Sequence, residues 1–488
     1  MDNIKIPTRV EEAFNDPKWA EAMNIEMEAL QKNNTWDIVD LPKRMKPIGC
    51  RWVFIVKYNV DGTVERYKAR LVAKGFTQTY RVDYHDTFAH VAKMNTVRVL
   101  LSLAVNLDWT LRQFDVKNAF LHGELEEEVY MSLPPGYRVI GETGNMCKLK
   151  KALYGLKQSP RAWFGRFTTA MKMFGYRQAN TDHTLFIKHR AGKVTLLIIY
   201  VDDMIVTGDD TVEIEELQKH LASEFEMKDL GSLKYFLGVE VTRSKHGLFL
   251  SQRKYVMDLL ADTGMLNCKP ADTPIVGNHK LGVYVDQVPT NRERYQRLVG
   301  RLIYLSLTRP DIAYAVSVAS QFMHSPSEDH IAAVMRILSY LKSAPGRGLL
   351  FKKNGHLDME GYTDADYAGN ITDRRSTSGY FTFVGGNLVT WYNKKQNVVS
   401  RSSAESEYRG IAQGSAFEIA NNPVQHDRTK HVEVDRHFIK EKLEQKLISI
   451  PFVPLLEQLA DMLTHAVSKR RFEDSLDKLG ITDIYAPT

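Results

Sequence analysis

Cysteine is scarce: Cys50, Cys147 and Cys268 are the only three in 488 residues, and no two form a CxxC pair. A disulfide framework and a cysteine zinc site are therefore excluded, and a reducing compartment is the expectation. Long hydrophobic runs are missing as well. The apolar stretches break at an acid or a glycine well short of the ~20 residues a bilayer-spanning helix needs. The opening MDNIKIPTRVEEAF has no apolar segment of the kind a secretory signal carries. These absences predict a protein of the cytoplasm or nucleus with no membrane partner. Net charge is small too, 65 Lys and Arg against 59 Asp and Glu leaving +6, so where the charges lie says more than their sum.

What is present is an ordinary globular composition, 43% hydrophobic over a length that suits two to four packed domains. Positive charge is concentrated in two places. Seven Lys or Arg lie between Arg51 and Arg81 against only Asp61 and Glu65, and six lie from Asn145 to Arg166 with no acid among them. Such stretches fit either a polyanion's backbone or plain solvated faces. Between and beyond them are carboxylates in apolar settings. Leu196 to Gly208, LLIIYVDDMIVTG, reads as two buried strands joined by a tight turn at Asp202-Asp203. Taken alone, that pair reads better as a solvated turn. A second stretch, Gln113 to Gly123 (QFDVKNAFLHG), ends a strand-like segment at Asp115. Three carboxylates on one sheet would form a hard-oxygen ligand set for two Mg²⁺ ions, the arrangement of nucleotidyl transfer.

Nine blocks occur in one order: RWVFIVK, RYKARLVAKGFTQ, FDVKNAFLHG, KALYGLKQSPRAWF, YVDD, LVGRLIYLSLTRPDIAYAV, RRSTSGY, KKQNVVSRSSAESEY and HDRTKHVEVDRHF. From about Glu11 to Ile484 the chain resembles the reverse transcriptase and RNase H portion of copia-type LTR-retrotransposon polyproteins. The resemblance implies an α+β chain, a right-hand polymerase of fingers, palm and thumb-connection followed by a truncated RNase H-like α/β module. It divides the sequence into a helical lead-in (1–47), fingers and palm (48–255), a thumb or connection region (256–352), the RNase H-like module (353–475) and a tail (476–488). It also implies an RNA-directed DNA polymerase in which Asp115, Asp202 and Asp203 hold two Mg²⁺, with an RNA or DNA template, a primer and dNTPs as partners. Location would be cytoplasmic, in a virus-like particle, or nuclear. The alternative is a degenerate element-derived protein without catalysis, at most a nucleic-acid-binding remnant.

In chain order, Trp19 to Lys32 has helical spacing, and Cys50 to Val72 reads as a hairpin turning at Val60-Asp61-Gly62-Thr63 and presenting Lys57, Arg66, Lys68, Arg70 and Lys74. By resemblance this is the fingers hairpin, with Lys57 and Arg70 as the preferred triphosphate contacts. Val97 to Leu107 is an apolar helix leading to the Asp115 strand. By resemblance Phe120 would exclude a ribose 2′-hydroxyl, although its spacing fits a core phenylalanine equally well. Gly155, Gln158, Ser159 and Pro160 resemble the segment beneath the templating base and dNTP, with Gly155 allowing close backbone approach. Val212 to Phe225 is an amphipathic helix with Glu213 on its polar side, and Leu233 to Ser251 is a hairpin whose LGVE resembles a primer grip. Asp262-Thr263-Gly264 is a helix end rather than a protease signature. A Pro- and Gly-rich linker over 268–291 precedes helical stretches at Arg294 to Phe322 and Asp329 to Lys342.

In the last module, resemblance assigns metal carboxylates to Asp364, Glu407 and Asp461. Family members carry a further acid on a strand after the Glu407 helix. Here the text runs from GIAQGSA straight into FEIANNPVQHDRTKHVEVDRHF. By resemblance roughly forty residues expected of the family are missing, and losing that strand would leave unpaired backbone in the sheet. The expectation is no ribonuclease activity and a weakly stable module, with His426, His431, His437 and Asp435 read as a polar helix rather than a metal site. Two further departures are Arg81, where the family has glycine, and His90, where it has proline.

Overall fold

The structure is a computed structural model describing residues 4–43, 45–58, 63–137, 145–284, 286–419, 449, 451 and 453–485. Helices and strands are mixed throughout, the α+β class expected from sequence. The chain forms two compact units, Met1–Ala92 with Arg112–Gly231, and Lys93–Leu111 with Ser232–Thr488. None of the helices in the described residues is long and apolar enough to cross a membrane.

The first unit opens with α1 (Val10–Phe14) and α2 (Pro17–Lys32). Asp16 accepts a hydrogen bond from the Lys18 amide, and Pro17 begins the helix where no donor is needed. The buried face of α2 packs on a hairpin of β2 (Cys50–Tyr58) and β3 (Val64–Ala73); the Trp19 ring meets Phe54 and Tyr67 edge-on at 5.4 and 4.7 Å. The expected turn of this hairpin lies at 59–62, outside the described residues. Strand β1 (Trp36–Val39) joins a three-stranded sheet with two later strands. Those later strands are β5 and β6, reached through α3 (Met94–Asn106), which belongs to the second unit, and β4 (Thr110–Val116). β5 spans Glu124–Ser132 and β6 spans Met146–Lys151.

The main sheet of this unit has six strands in the order β11-β4-β10-β9-β8-β7. Here β7 is Arg177–Gln178, β8 Leu185–Arg190, β9 Lys193–Tyr200, β10 Asp203–Gly208 and β11 Met227–Ser232. Helices α4 (Ser159–Met173) and α5 (Thr211–Glu224) cover it, Trp163, Phe167, Leu217 and Leu221 packing on Phe114, Leu197, Ile199 and Met204. Glu213 does not lie on a solvated side of α5 as the amphipathic pattern suggested. It is 1% exposed, because Lys188 Nζ at 2.9 Å and the Tyr176 hydroxyl at 3.1 Å both donate to it and satisfy its charge inside.

In the second unit β12 (Tyr235–Phe236), β13 (Val239–Ser244), β14 (Gly247–Ser251) and β15 (Arg347–Phe351) form a sheet completed by β19 (Ile481–Asp483). Helix α6 (Arg253–Asp262) ends as expected, Gly264 adopting φ +71°. The stretch read as one helix from Arg294 to Phe322 is two, α7 (Arg292–Leu305) and α8 (Ala313–Ser320). The break falls where Pro310 opens a short 3₁₀ turn and Arg309 forks onto Asp311 in the core. Helix α9 (Glu328–Ser343) follows. A second sheet of β16 (Met359–Ala365), β17 (Thr377–Val384) and β18 (Asn387–Lys395) is antiparallel, and α10 (Ser403–Ile419) packs on β16 and β17. Helix α11 (Lys469–Lys478) precedes β19. The apolar α3 sits on the β17–β18 hairpin, Ser102 Oγ donating to the Val384 carbonyl at 2.6 Å and Asn106 Nδ2 to that of Gly385 at 3.1 Å. His426, His431, Asp435 and His437, with the expected gap beside them, lie outside the described residues.

Candidate active site

Strands β9 and β10 pair with Tyr200 opposite Asp203, so Asp203 is the first residue of β10 while Asp202 occupies the turn. Val201 holds φ +54° there, and the Trp163 indole N–H pins its carbonyl at 2.7 Å. Strand β4 runs beside β10, the Val116 amide donating to the Asp202 carbonyl at 2.9 Å. Asp115 is thereby brought against the acidic pair. Burial first, then the Asp202 and Asp115 charges, push the Asp203 carboxyl up to about 6, against a hydrogen bond from Gln113 that lowers it. Asp115 is raised by burial and by Asp202, with Lys68, Lys228 and Arg66 working the other way. Among the described residues no Lys or Arg forms an ion pair with any of the three. Three half-buried acids on neighbouring strands, with the Asp202 charge raising both Asp115 and Asp203, are the donor set a divalent cation relieves.

In the β2–β3 register Lys57 lies opposite Arg66, Ile55 opposite Lys68 and Val53 opposite Arg70. Because side chains alternate, Lys57, Arg66, Lys68 and Arg70 share one face while Tyr67, Ala69 and Leu71 turn to the other. The Lys68 ammonium is held below its usual value by burial and by Arg70, Arg66 and Lys57, a crowd of like charge that an anion would relax. Lys57 is exposed. Arg70 is ion-paired to the buried Glu26 of α2, whose other oxygen accepts from the Leu71 amide at 3.3 Å. Sequence reasoning placed Arg66 and Lys68 on the hairpin but preferred Lys57 and Arg70, since only the fold reveals that Asp115 feels Lys68 and Arg66.

Asn118 takes φ +54° and turns the chain so that Phe120 follows directly after the Asp115 strand. The Phe120 ring lies edge-on to Tyr154 at 4.7 Å. Gly155, with φ +93°, presses against β3: a Cβ there would come within 2.1 Å of the Ala73 carbonyl. Gln158 is buried, accepting from Gln78 at 3.0 Å and donating to the Asp83 carbonyl at 2.9 Å. Gly155 and Gln158 thus fasten the loop after β3 to the start of α4. Within that loop Arg81 holds φ +65°, the conformation a glycine adopts freely, and His90 packs between the Phe164 and His183 rings at 5.5 and 4.4 Å.

The second unit gathers its own carboxylates. Asp364 on β16, Asp461 and His465 present ligand atoms within 4.8 Å of one another. Glu407 on α10 is pushed up to about 7 by burial and by Asp364, Asp461 and Asp366, although the Ala365 amide donates to it. Asp461 is raised by burial and Asp364 but carries Arg471 as an ion-pair partner, and the Thr464 hydroxyl donates to Asp364. Arg471 and Thr464 were not foreseen; in SKRRFED an arginine gives no sign that it turns inward.

A family model described as reverse transcriptase (RNA-dependent DNA polymerase) matches residues 33–277, half of the chain, and the chain belongs to that family. It is similar to the retrovirus-related Pol polyprotein from transposon RE1 of Arabidopsis thaliana, at 40% identity over 98% of this chain and 35% of that protein. The corresponding polyprotein from transposon TNT 1-94 of Nicotiana tabacum is 39% identical over 97% of this chain and 39% of that protein. The copia-type order of the nine blocks agrees with these plant relatives. The chain spans about a third of their length, and the alignment with the first runs over 508 positions against 488 residues here. An uncharacterized mitochondrial protein of Arabidopsis thaliana is 43% identical over 44% of this chain and 90% of its own length. Among solved structures, a foamy viral protease-reverse transcriptase in complex with double-stranded DNA aligns over 95% of this chain and 68% of its own, at 13% identity and TM-score 0.44.

Proposed function

We propose that the chain acts as the RNA-directed DNA polymerase of a copia-type retrotransposon, adding deoxynucleotides to a primer paired with an RNA or DNA template. The observation that carries this is the meeting of Asp115, Asp202 and Asp203 on neighbouring strands with, among the described residues, no Lys or Arg ion-paired to them. These three residues would hold two Mg²⁺, which when bound lower the pKa of the primer 3′-hydroxyl and stabilise charge on the leaving pyrophosphate. The rest falls to the chain's own groups. Lys57, Arg66 and Lys68 offer the triphosphate a cationic face, and Phe120 closes the side on which a 2′-hydroxyl would sit.

Ribonuclease activity is proposed to be lost. Asp364, Glu407 and Asp461 converge, but Arg471 is already ion-paired to Asp461, and on the family resemblance the strand that would bring a further acid falls in the proposed deletion. That the relative's alignment outruns this chain supports a missing segment.

The test is primer extension on poly(rA)/oligo(dT) with Mg²⁺. Wild-type extension that falls by about 10³-fold in Asp202→Asn and Asp203→Asn supports the reading. No Mg²⁺-dependent extension by the wild type would reduce the chain to a nucleic-acid-binding remnant.

A further inference from the structure

We propose that Tyr154 determines sugar specificity, its ring being the wall that holds Phe120 where a ribose 2′-hydroxyl would strike it. The inference rests on the polymerase reading and extends it to a residue that the motif roles leave unassigned. Tyr154 is fixed from three sides. Its carbonyl accepts from the Ala73 amide at the end of β3, at 2.8 Å. One side of its ring meets Phe120 edge-on at 4.7 Å, and the Arg70 guanidinium lies 5.3 Å from its centroid. Arg70 cannot drift, because Glu26 grips it from α2. A line of contacts therefore runs Glu26, Arg70, Tyr154, Phe120.

The phenol belongs to the same centre electrically. Burial, with Arg70 opposing and the charges of Asp202, Glu26 and Asp115 adding to it, pushes it up to about 12. It stays neutral at any working pH, so the ring remains an uncharged face. Rejection of an extra hydroxyl by sterics requires that the rejecting ring has nowhere to go. Phe120 follows a left-handed turn at Asn118 on a single 3₁₀ turn, Ala119–His122, and its half-buried ring packs on the core cluster that holds Phe114 and Trp163, so its rotamer is set by that core and by whatever covers the rest of the ring. Tyr154 supplies that cover through an edge-to-face contact.

A purely structural role for Tyr154 would weaken dCTP and CTP binding alike and leave their ratio unchanged. The experiment therefore reads the ratio. The full chain is loaded on a primer-template with a dideoxy-terminated primer, Ca²⁺ replaces Mg²⁺, and the Kd values of dCTP and CTP are measured for wild type, Y154F, Y154A and Y154L. The wild type prefers dCTP, Y154F keeps the preference, and Y154A loses it by about tenfold. Y154L repeats the loss without a large cavity, so a folding defect in Y154A does not hide the answer. An F120A/Y154A double variant loses no more than F120A alone, because both act through one ring. An unchanged ratio in Y154A and Y154L, or its loss in Y154F, overturns the proposal while the polymerase reading stands. A wild type that binds neither nucleotide overturns both.

Discussion

In the first unit Asp115, Asp202 and Asp203 meet with lysines and arginines placed near them but, among the described residues, none paired to them; in the second, Asp364, Glu407 and Asp461 meet with Arg471 already on Asp461. Burial raises Asp115 and Asp203 in the first and Glu407 and Asp461 in the second, so burial alone does not distinguish the clusters. The source of positive charge does. A guanidinium folded into a cluster removes part of the repulsion that would otherwise draw in an ion, whereas among the described residues no cation is paired to the first cluster. Of the cations that act on Asp115, Lys68 and Arg66 belong to the β2–β3 hairpin and Lys228 to β11.

The largest effect that tests this contrast is on metal affinity. Calorimetric titration with Mn²⁺ should give one class of site that Asp203→Asn removes and that binds at least about tenfold more tightly than the cluster in the second unit. Arg471→Ala should tighten the weaker class by about tenfold, since it exposes an acid that had its charge answered. If Arg471→Ala leaves that affinity where it was, the internal arginine is not what separates the two clusters.

Much of the first cluster was legible because it is local. Apolar runs on both sides of Asp202-Asp203 dictate a hairpin, and FDVKNAF dictates a strand that ends in a turn, so only the pairing of β4 with β10 had to come from the fold. What escaped depends on distance in sequence. Glu26 lies in an amphipathic helix where a solvated glutamate is the ordinary expectation, and its partner Arg70 is 44 residues away. Tyr154 reads as one more aromatic in KALYGLKQ until Phe120 and Arg70 are seen on either side. The apolar pattern of α3 announced a buried helix without saying which sheet it covers, and the answer was the hairpin of Val384 and Gly385 more than 270 residues on. Arg81 is the reverse case: the departure from glycine was visible in the text, and its backbone adopts the conformation that glycine favours.

A smaller effect appears in stability against pH. Asp203 and Glu407 are raised to about 6 and about 7, so each holds its proton more tightly folded than unfolded. Between the unfolded carboxyl range near ~4 and those values the native state binds more protons, and stability falls as pH rises. Asp210, lowered by Arg190, works in the opposite sense, so the effect is read as variant minus wild type. Without metal, Asp203→Asn and Glu407→Gln should each raise the melting temperature at pH 8 by ~2 °C and leave it unchanged near pH 4. Saturating Mn²⁺ should cancel the gain of Asp203→Asn and spare most of that of Glu407→Gln. Equal cancellation in both would mean that the two clusters take metal alike.

Arg81 supplies the smallest effect and the control. Its φ of +65° strains a residue with a Cβ, and its guanidinium, 5.4 Å from the exposed Tyr80 ring, returns little of that cost. Arg81→Gly should stabilise the chain by ~0.5 kcal/mol in urea titrations, the relief of strain being partly offset by the greater freedom glycine has when unfolded. Strain in this loop involves neither set of acids, so Mn²⁺ affinity should not move in either cluster. A shift in the first cluster alone would show that the loop's backbone is coupled to the carboxylates through Gln78, Asp83 and Gln158, and that charge is not the whole of what sets the two clusters apart.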